Sequence, residues 1–213
     1  MALPQFPINL SLDGRRVVLI GAVPGLVDKS RELARCGASV DVYAAGLDES
    51  KASQLDSLDG VTRHARPHRS EELLGAALVL CARDDRSRAE AVAADAAAAN
   101  APLVVVDEPD LCTATLPARI RQDSLLVTFS TAGVSPALAS WLRRRFAPEF
   151  GPEYADLLHL LAEERAAIRA SGRTTEGLDW QGALDSGMLE LVREGRLAEA
   201  KERLQACLSS SSE

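Results

Sequence analysis

The sequence predicts an α/β fold, a parallel sheet covered by helices, followed by a small all-helical region. One observation predicts the first part. Short apolar, β-branched runs alternate with helical segments from residue 15 to residue 109. That alternation is the pattern of strands joined in parallel through crossover helices. A second observation predicts the second part: composition shifts after Asp110, and from Pro152 the apolar residues recur at helical spacing.

The elements follow in order. "RRVVLIG" is a β-branched strand, and "LVDKSRELARCG" places Leu26, Leu33 and Ala34 at helical spacing before Gly37, a natural helix stop. "ASVDVYAA" alternates as a strand does. "SEELLGA" offers Ser70 as a cap for a short helix, and "AALVLCA" is a buried strand. "DDRSRAEAVAADAAAAN" is an alanine-rich helix that leads into the strand "PLVVVDEP". Further on, "SLLVTFSTAGVSPALASWLRRRF" reads as a strand, a small-residue turn and a helix capped by Ser135 with Pro136 in its first turn. "EYADLLHLLAEERAAIRAS" gathers Leu157, Leu158, Leu161 and Ile168 on one helical face. "MLELVREGRLAEAKERLQACL" is a helical hairpin broken at Gly195, and "SSSSE" reads as a disordered tail.

Bulk properties exclude several function classes. A chain of 213 residues with 46% hydrophobic content can bury a core. A net charge of -7 and a pI near 5.1 argue against a general nucleic-acid binder. No apolar run approaches the roughly 20 residues that span a bilayer, so no membrane partner is expected. The N-terminus lacks the pattern of a secretory signal. Cys36, Cys81, Cys112 and Cys207 are widely spaced, which predicts reduced thiols, no protein-bound metal and a cytoplasmic location.

In a parallel sheet, ligands bind beyond the carboxyl ends of the strands. Gly21 to Gly25, Ala44 to Asp48, Arg83 to Asp85 and Asp107 to Pro109 are therefore expected around one crevice. The first stretch resembles a dinucleotide loop of a Rossmann-like fold that lacks its second glycine. Gly21, Ala22, Val23, Pro24 and Gly25 are the candidate pyrophosphate contacts, with Leu47, Asp48 and Arg83 around them. Val23 occupies the second-glycine position, where a β-branched side chain is expected to project toward the pyrophosphate. On that expectation, Val23→Gly would tighten cofactor binding. Pro24 has no N–H to donate, and Asp28 places a negative charge near the phosphate.

Several motifs, taken in order, resemble the precorrin-2 dehydrogenase and sirohydrochlorin ferrochelatase family of siroheme synthesis, which includes the N-terminal module of siroheme synthase and the yeast bifunctional enzyme. They are the lead-in from Pro7 to Arg15, the turn Ala82 to Asp85, "VVDEP" from Val105 to Pro109 and "STAGVSPALA" from Ser130 to Ala139. Trp180 and the closing hairpin of the helical tail complete the set.

The resemblance implies a Rossmann-like NAD-binding-type domain over residues 1–112. It also implies a dimerisation and tetrapyrrole-cleft segment over 113–149 and a helical domain over 150–213, in a homodimer. It implies NAD-dependent oxidation of precorrin-2 to sirohydrochlorin, and in some members ferrous-iron insertion, with Fe2+ as substrate. It assigns Asp107 as the catalytic carboxylate. An aspartate after a buried strand read from position alone is an Asx turn; beside a tetrapyrrole it can act as general base.

Ser130, Thr131, Gly133 and Ser135 become the candidate tetrapyrrole contacts, since a helix start can hold carboxylate side arms; without the resemblance they are an ordinary helix cap. The family's threonine and asparagine at two crevice positions are here Arg83 and Val104, and Ala132 replaces a glycine. These departures leave a second expectation open, a chelatase or a non-catalytic tetrapyrrole-binding protein whose nucleotide site has decayed. A protein recruited only for interaction ranks last, since it leaves Asp107 unexplained. Arg143 to Arg145, and the basic loop and edge strand holding Arg63, His64, Arg66, His68 and Arg69, read as solvated or ion-paired faces ahead of anion-steering patches. His159, among leucines, is expected to be packed.

Overall fold

The computed structural model describes residues 5–83 and 85–210. The chain divides into two compact units, Met1–Leu116 and Pro117–Glu213.

The first unit is built on strands β1 (Arg16–Ile20), β2 (Ser39–Tyr43), β3 (Val61–His64), β4 (Leu78–Cys81) and β5 (Leu103–Val105), with helices α1 (Leu26–Arg35), α2 (Glu49–Asp56) and α3 (Arg86–Ala98) between them. The sheet is wholly parallel, in the order β3-β2-β1-β4-β5. Successive residues of β1 explain its unbroken apolar run. Val17 and Leu19 join Val40, Val42, Leu26 and Leu55 on one face; Val18 and Ile20 join Val79, Leu103, Ala89 and Val92 on the other. Both faces are covered from Val17 to Ile20, so each of those four positions must be apolar. In α3 the buried residues are Ala89, Val92 and Ala96, small side chains that let the helix lie close on the sheet. The Rossmann-like α/β sheet expected from the sequence is present.

Helix α2 lies outside the expected set, whereas β3 is the edge strand expected at the basic residues. Helix α2 has one buried side chain, Leu55, so its apolar face is too sparse to read as a period. Strand β3 is an edge strand rich in polar residues, with no fully buried side chain.

The second unit opens on an antiparallel hairpin, β6 (Ala118–Gln122) with β7 (Leu125–Phe129), in which Ala118 faces Phe129. Only the second of these strands was expected. Helix α4 (Pro136–Phe146) follows, then α5 (Glu153–Ala170), α6 (Trp180–Ala183), α7 (Leu189–Arg193) and α8 (Leu197–Ser210). Leu157, Leu160 and Ile168 of α5 pack with Met188, Leu191, Leu204 and Leu208. Leu160 takes the core position expected of Leu158, which is half-buried. His159 is not packed: its side chain is 66% exposed, and Nε2 lies 3.3 Å from Asp123 Oδ2. Helix α8 continues through Ser210, so the first two residues of the expected tail are helical; residues 211–213 lie outside the described residues. Among the described residues no helix is long and apolar enough to cross a membrane.

Candidate nucleotide crevice and the Asp107 turn

Strand order reverses at β1, whose neighbours β2 and β4 lead away in opposite directions. Beyond the carboxyl ends of strands at such a point lies the crevice in which doubly wound sheets take their ligands. The turn after β1 begins at Gly21 (φ 76°), whose N–H donates to Tyr43 O at 2.9 Å. It ends at Gly25, left-handed at φ 67° and ψ 33°, where a β-carbon would be strained. Gly25 carries no side chain to cap α1, and the first intrahelical bond runs from Lys29 N–H to Gly25 O. The amides of the helix start are thus left without a side-chain acceptor, the condition for holding an anion.

The expected obstruction at Val23 is absent. Its side chain is 3% exposed and packs into the core with Leu12, Leu26 and Val42. A turn between two left-handed glycines can bring its third residue inward, and burial of the apolar side chain favours that path. Asp28, also expected to oppose a phosphate, pairs with Arg31 at 2.7 Å. Lys29 Nζ donates to Pro24 O, which brings an ammonium onto the loop. Val104 faces the core, half-buried against the α1-side cluster, and not the crevice.

At the end of β2, Gly46 (φ 75°) turns the chain and Leu47 rests half-buried against the core. Asp48 is the N-cap of α2. Its Oδ1 accepts from Lys51 N–H at 2.8 Å and its Oδ2 from Lys51 Nζ at 2.7 Å, bonds that hold its carboxyl below the usual carboxylate range.

Asp107 lies two residues beyond β5, exposed and left-handed at φ 57°. Its neighbour Glu108 is buried, with Arg83 Nε 3.0 Å from one oxygen and Arg86 donating to the other. Arg83 therefore meets an internal acid. Arg86 is kept charged by Asp110, Glu90 and Glu108 in that order. No sequence signal singled out Glu108, because the arginines that neutralise it lie 25 and 22 positions earlier in the chain.

The candidate tetrapyrrole contacts belong to the second unit. Ser130 Oγ accepts from Ala132 N–H at 3.3 Å, Thr131 Oγ1 from Ser135 N–H at 3.0 Å, and Ser135 Oγ from Leu138 N–H at 3.2 Å. All three hydroxyls build the turn that starts α4. Gly133 (φ 81°) and Ala132 (φ 51°) are both left-handed, and Ala132 bears the strain that the family's usual glycine avoids.

The basic edge is internally paired. Arg63 binds Asp56, Arg66 binds Glu72, His64 Nε2 lies 3.0 Å from Asp41 and His68 Nε2 3.3 Å from Asp95. None of the four cysteines is in a disulfide. Among the described residues no group of three or more His, Cys, Asp or Glu side chains could hold a metal ion.

A family described as putative NAD(P)-binding matches residues 8–118, more than half of the chain. The chain belongs to this NAD(P)-binding family. The matched span covers the five-stranded sheet and all the crevice turns described above. The chain is also 29% identical over 208 residues to siroheme synthase of Nitrosomonas eutropha, covering 97% of this chain and 44% of that protein. Siroheme synthases of Methylobacillus flagellatus (32%, with 97% and 44% covered) and Gluconacetobacter diazotrophicus (33%, with 97% and 45% covered) are similar. This NAD(P)-binding chain thus spans less than half the length of these relatives. The resemblance read from the ordered motifs is borne out. A solved structure, SirC, precorrin-2 dehydrogenase, superposes with a TM-score of 0.68 at 16% identity, covering 95% of this chain and 100% of that one. At that identity the match establishes the shared fold.

Proposed function

We propose that this chain catalyses the oxidation of precorrin-2 to sirohydrochlorin with NAD as acceptor, as a homodimer in the cytoplasm. The observation that carries the reading is Asp107: an exposed carboxylate, held in a left-handed turn just past β5, on the crevice side of an NAD(P)-binding-type sheet. An ordinary Asx turn does not require that conformation. The crevice residues fit a dinucleotide, since Gly21, Ala22 and Gly25 leave the start of α1 open and Val23 is turned away. Pro24 shapes the loop, and Leu47 and Asp48 border the adenosine end.

When bound, the nicotinamide supplies the hydride acceptor. The chain's own residues do the rest. The Ala22 and Gly25 amides and those opening α1 hold the pyrophosphate, with Gly21, Val23 and Pro24 shaping the loop, and Lys29 adds a cation there. Asp107, as carboxylate, takes the proton that leaves the macrocycle as the hydride departs, so that two electrons and two hydrogens are removed in all. Ser130, Thr131, Gly133 and Ser135, which build the turn that opens α4, stay the candidate contacts for carboxylate arms of the tetrapyrrole. Ferrous-iron insertion would use the same carboxylate to accept pyrrole protons, with Fe2+ as substrate. The cofactor-free alternative rested on several departures together; the burial of Val23, the core-facing Val104 and the ion pairs of Asp28 and Arg83 weigh against it.

Calorimetry with NAD, and absorbance of sirohydrochlorin formed from precorrin-2, test the reading. NAD is expected to bind in the micromolar range and to support turnover. Asp107→Asn is expected to abolish turnover, by at least a hundredfold, with the fold retained. Full activity in that variant overturns the role of Asp107, and absence of NAD binding overturns the dehydrogenase reading.

A further inference from the structure

The turn bearing Asp107 contains a second carboxylate that the reaction above leaves unused. Glu108 and Ser30 are the buried polar or charged residues among those described. A buried carboxylate is unfavourable unless paired, and this one has two cations. Arg83 comes from the end of β4 and Arg86 from the first turn of α3, so their pairs with Glu108 tie the β4–α3 turn to the turn after β5. Arg86 is anchored in turn by Asp110 at 2.5 Å and by Glu90 at 2.8 Å.

The backbone on both sides of Asp107 is fixed as well. Val106 N–H donates to Cys81 O at 3.0 Å. Cys112 Sγ accepts from Val105 N–H at 3.1 Å and lies 3.3 Å from the carbonyl oxygens of Val105 and Glu108. Asp107 alone stands exposed between these fixed neighbours. A left-handed non-glycine residue persists only where its surroundings impose it. Here the imposing elements are the Cys112 sulfur and the doubly paired Glu108.

We propose that Glu108, clamped by Arg83 and Arg86, is a positioning residue for Asp107. It fixes the left-handed turn so that the Asp107 carboxylate is held ready for the macrocycle and does not relax into a turn cap. The proposal rests on the acid–base reading of Asp107. It predicts that Glu108 affects the rate of the step and not the binding of either ligand, because its side chain is buried beneath the turn.

The test compares Glu108→Gln with wild type in the full chain, alongside Asp107→Asn. Expected for Glu108→Gln is a kcat at least tenfold lower, with KM for precorrin-2 and Kd for NAD within twofold. Amide hydrogen exchange over residues 105–109 should be at least tenfold faster in the protein without ligands. Wild-type kcat and exchange in Glu108→Gln, with Asp107→Asn inactive, overturn the positioning role and leave Asp107 as the base. Full activity in Asp107→Asn removes the reading beneath both. Should Glu108→Gln fail to fold, Arg83→Gln takes its place, since that arginine is 58% exposed and Arg86 keeps Glu108 paired. A severalfold lower kcat with unchanged NAD affinity, recovered by Arg83→Lys, supports the clamp. Weaker NAD binding with unchanged kcat at saturation overturns it and makes Arg83 a cofactor contact.

Discussion

At Val23 two demands compete, since the side chain can stand in the crevice or fill the core. Burying an isopropyl group is worth about 1.5–3 kcal/mol, and the two glycines of the turn let the backbone swing it inward. Val23→Gly is therefore expected to lower the unfolding free energy by about 2–4 kcal/mol in urea denaturation without tightening NAD binding. A tighter NAD complex at unchanged stability would place the side chain back in the crevice. Asp48 shows the same division. Its position in sequence suggested a ribose contact, whereas both its oxygens are engaged in capping α2 and binding Lys51.

Among the elements, the polar edge of the sheet behaves as a charge-paired unit. Tyr43 stacks on His64 at 4.4 Å between ring centroids, and the Arg66 guanidinium lies 5.2 Å from the Tyr43 ring centroid. Arg66 grips Glu72, which also accepts from Arg69 N–H at 2.7 Å; these bonds hold the Glu72 carboxyl at about 2 against an ordinary value of 4.5. A carboxylate whose pKa is depressed by folding stabilises the fold above its unfolded pKa and loses that contribution as pH falls toward the folded one. Wild type is thus expected to melt above Glu72→Gln at neutral pH. That advantage should shrink as pH falls from about 4.5 to about 2, read as Tm by circular dichroism. A constant difference across that range would mean that Glu72 contributes by packing alone. Ion pairing was the favoured reading of this edge in sequence, and the structure supplies the acids, Asp41 on the adjacent strand, Asp56 in α2 and Glu72.

For the whole molecule, the second unit exposes apolar side chains where the resemblance places a dimer contact. Val134 is 75%, Leu138 47% and Trp141 50% exposed, and Arg145 lies 5.8 Å from the Trp141 ring centroid. A cluster of this kind on and beside one helix is characteristic of an interaction face. Light scattering is expected to give twice the 22.7 kDa chain mass, and Trp141→Glu to shift the protein to monomer. A monomeric wild type would refute the homodimer. Most of the sheet, its parallel sense and the helical second unit were legible in sequence, because buried strands and amphipathic helices write their periods directly into residue order. Helix α2 and strand β6 were not, since each is half-exposed and too polar to show a period.

The sequence by itself determined most of the order of elements, the glycine turn after β1 and the place of Asp107 beyond β5, since these depend on local periodicity and backbone preference. Only the tertiary structure decided that Val23 points inward, that Asp48 caps a helix and that Glu108 lies buried between Arg83 and Arg86. The first and last of these depend on which side chains meet across the fold, where a neutralising partner more than 20 residues away leaves no trace in the local pattern; the cap is local, but α2 buries too few side chains to show in sequence.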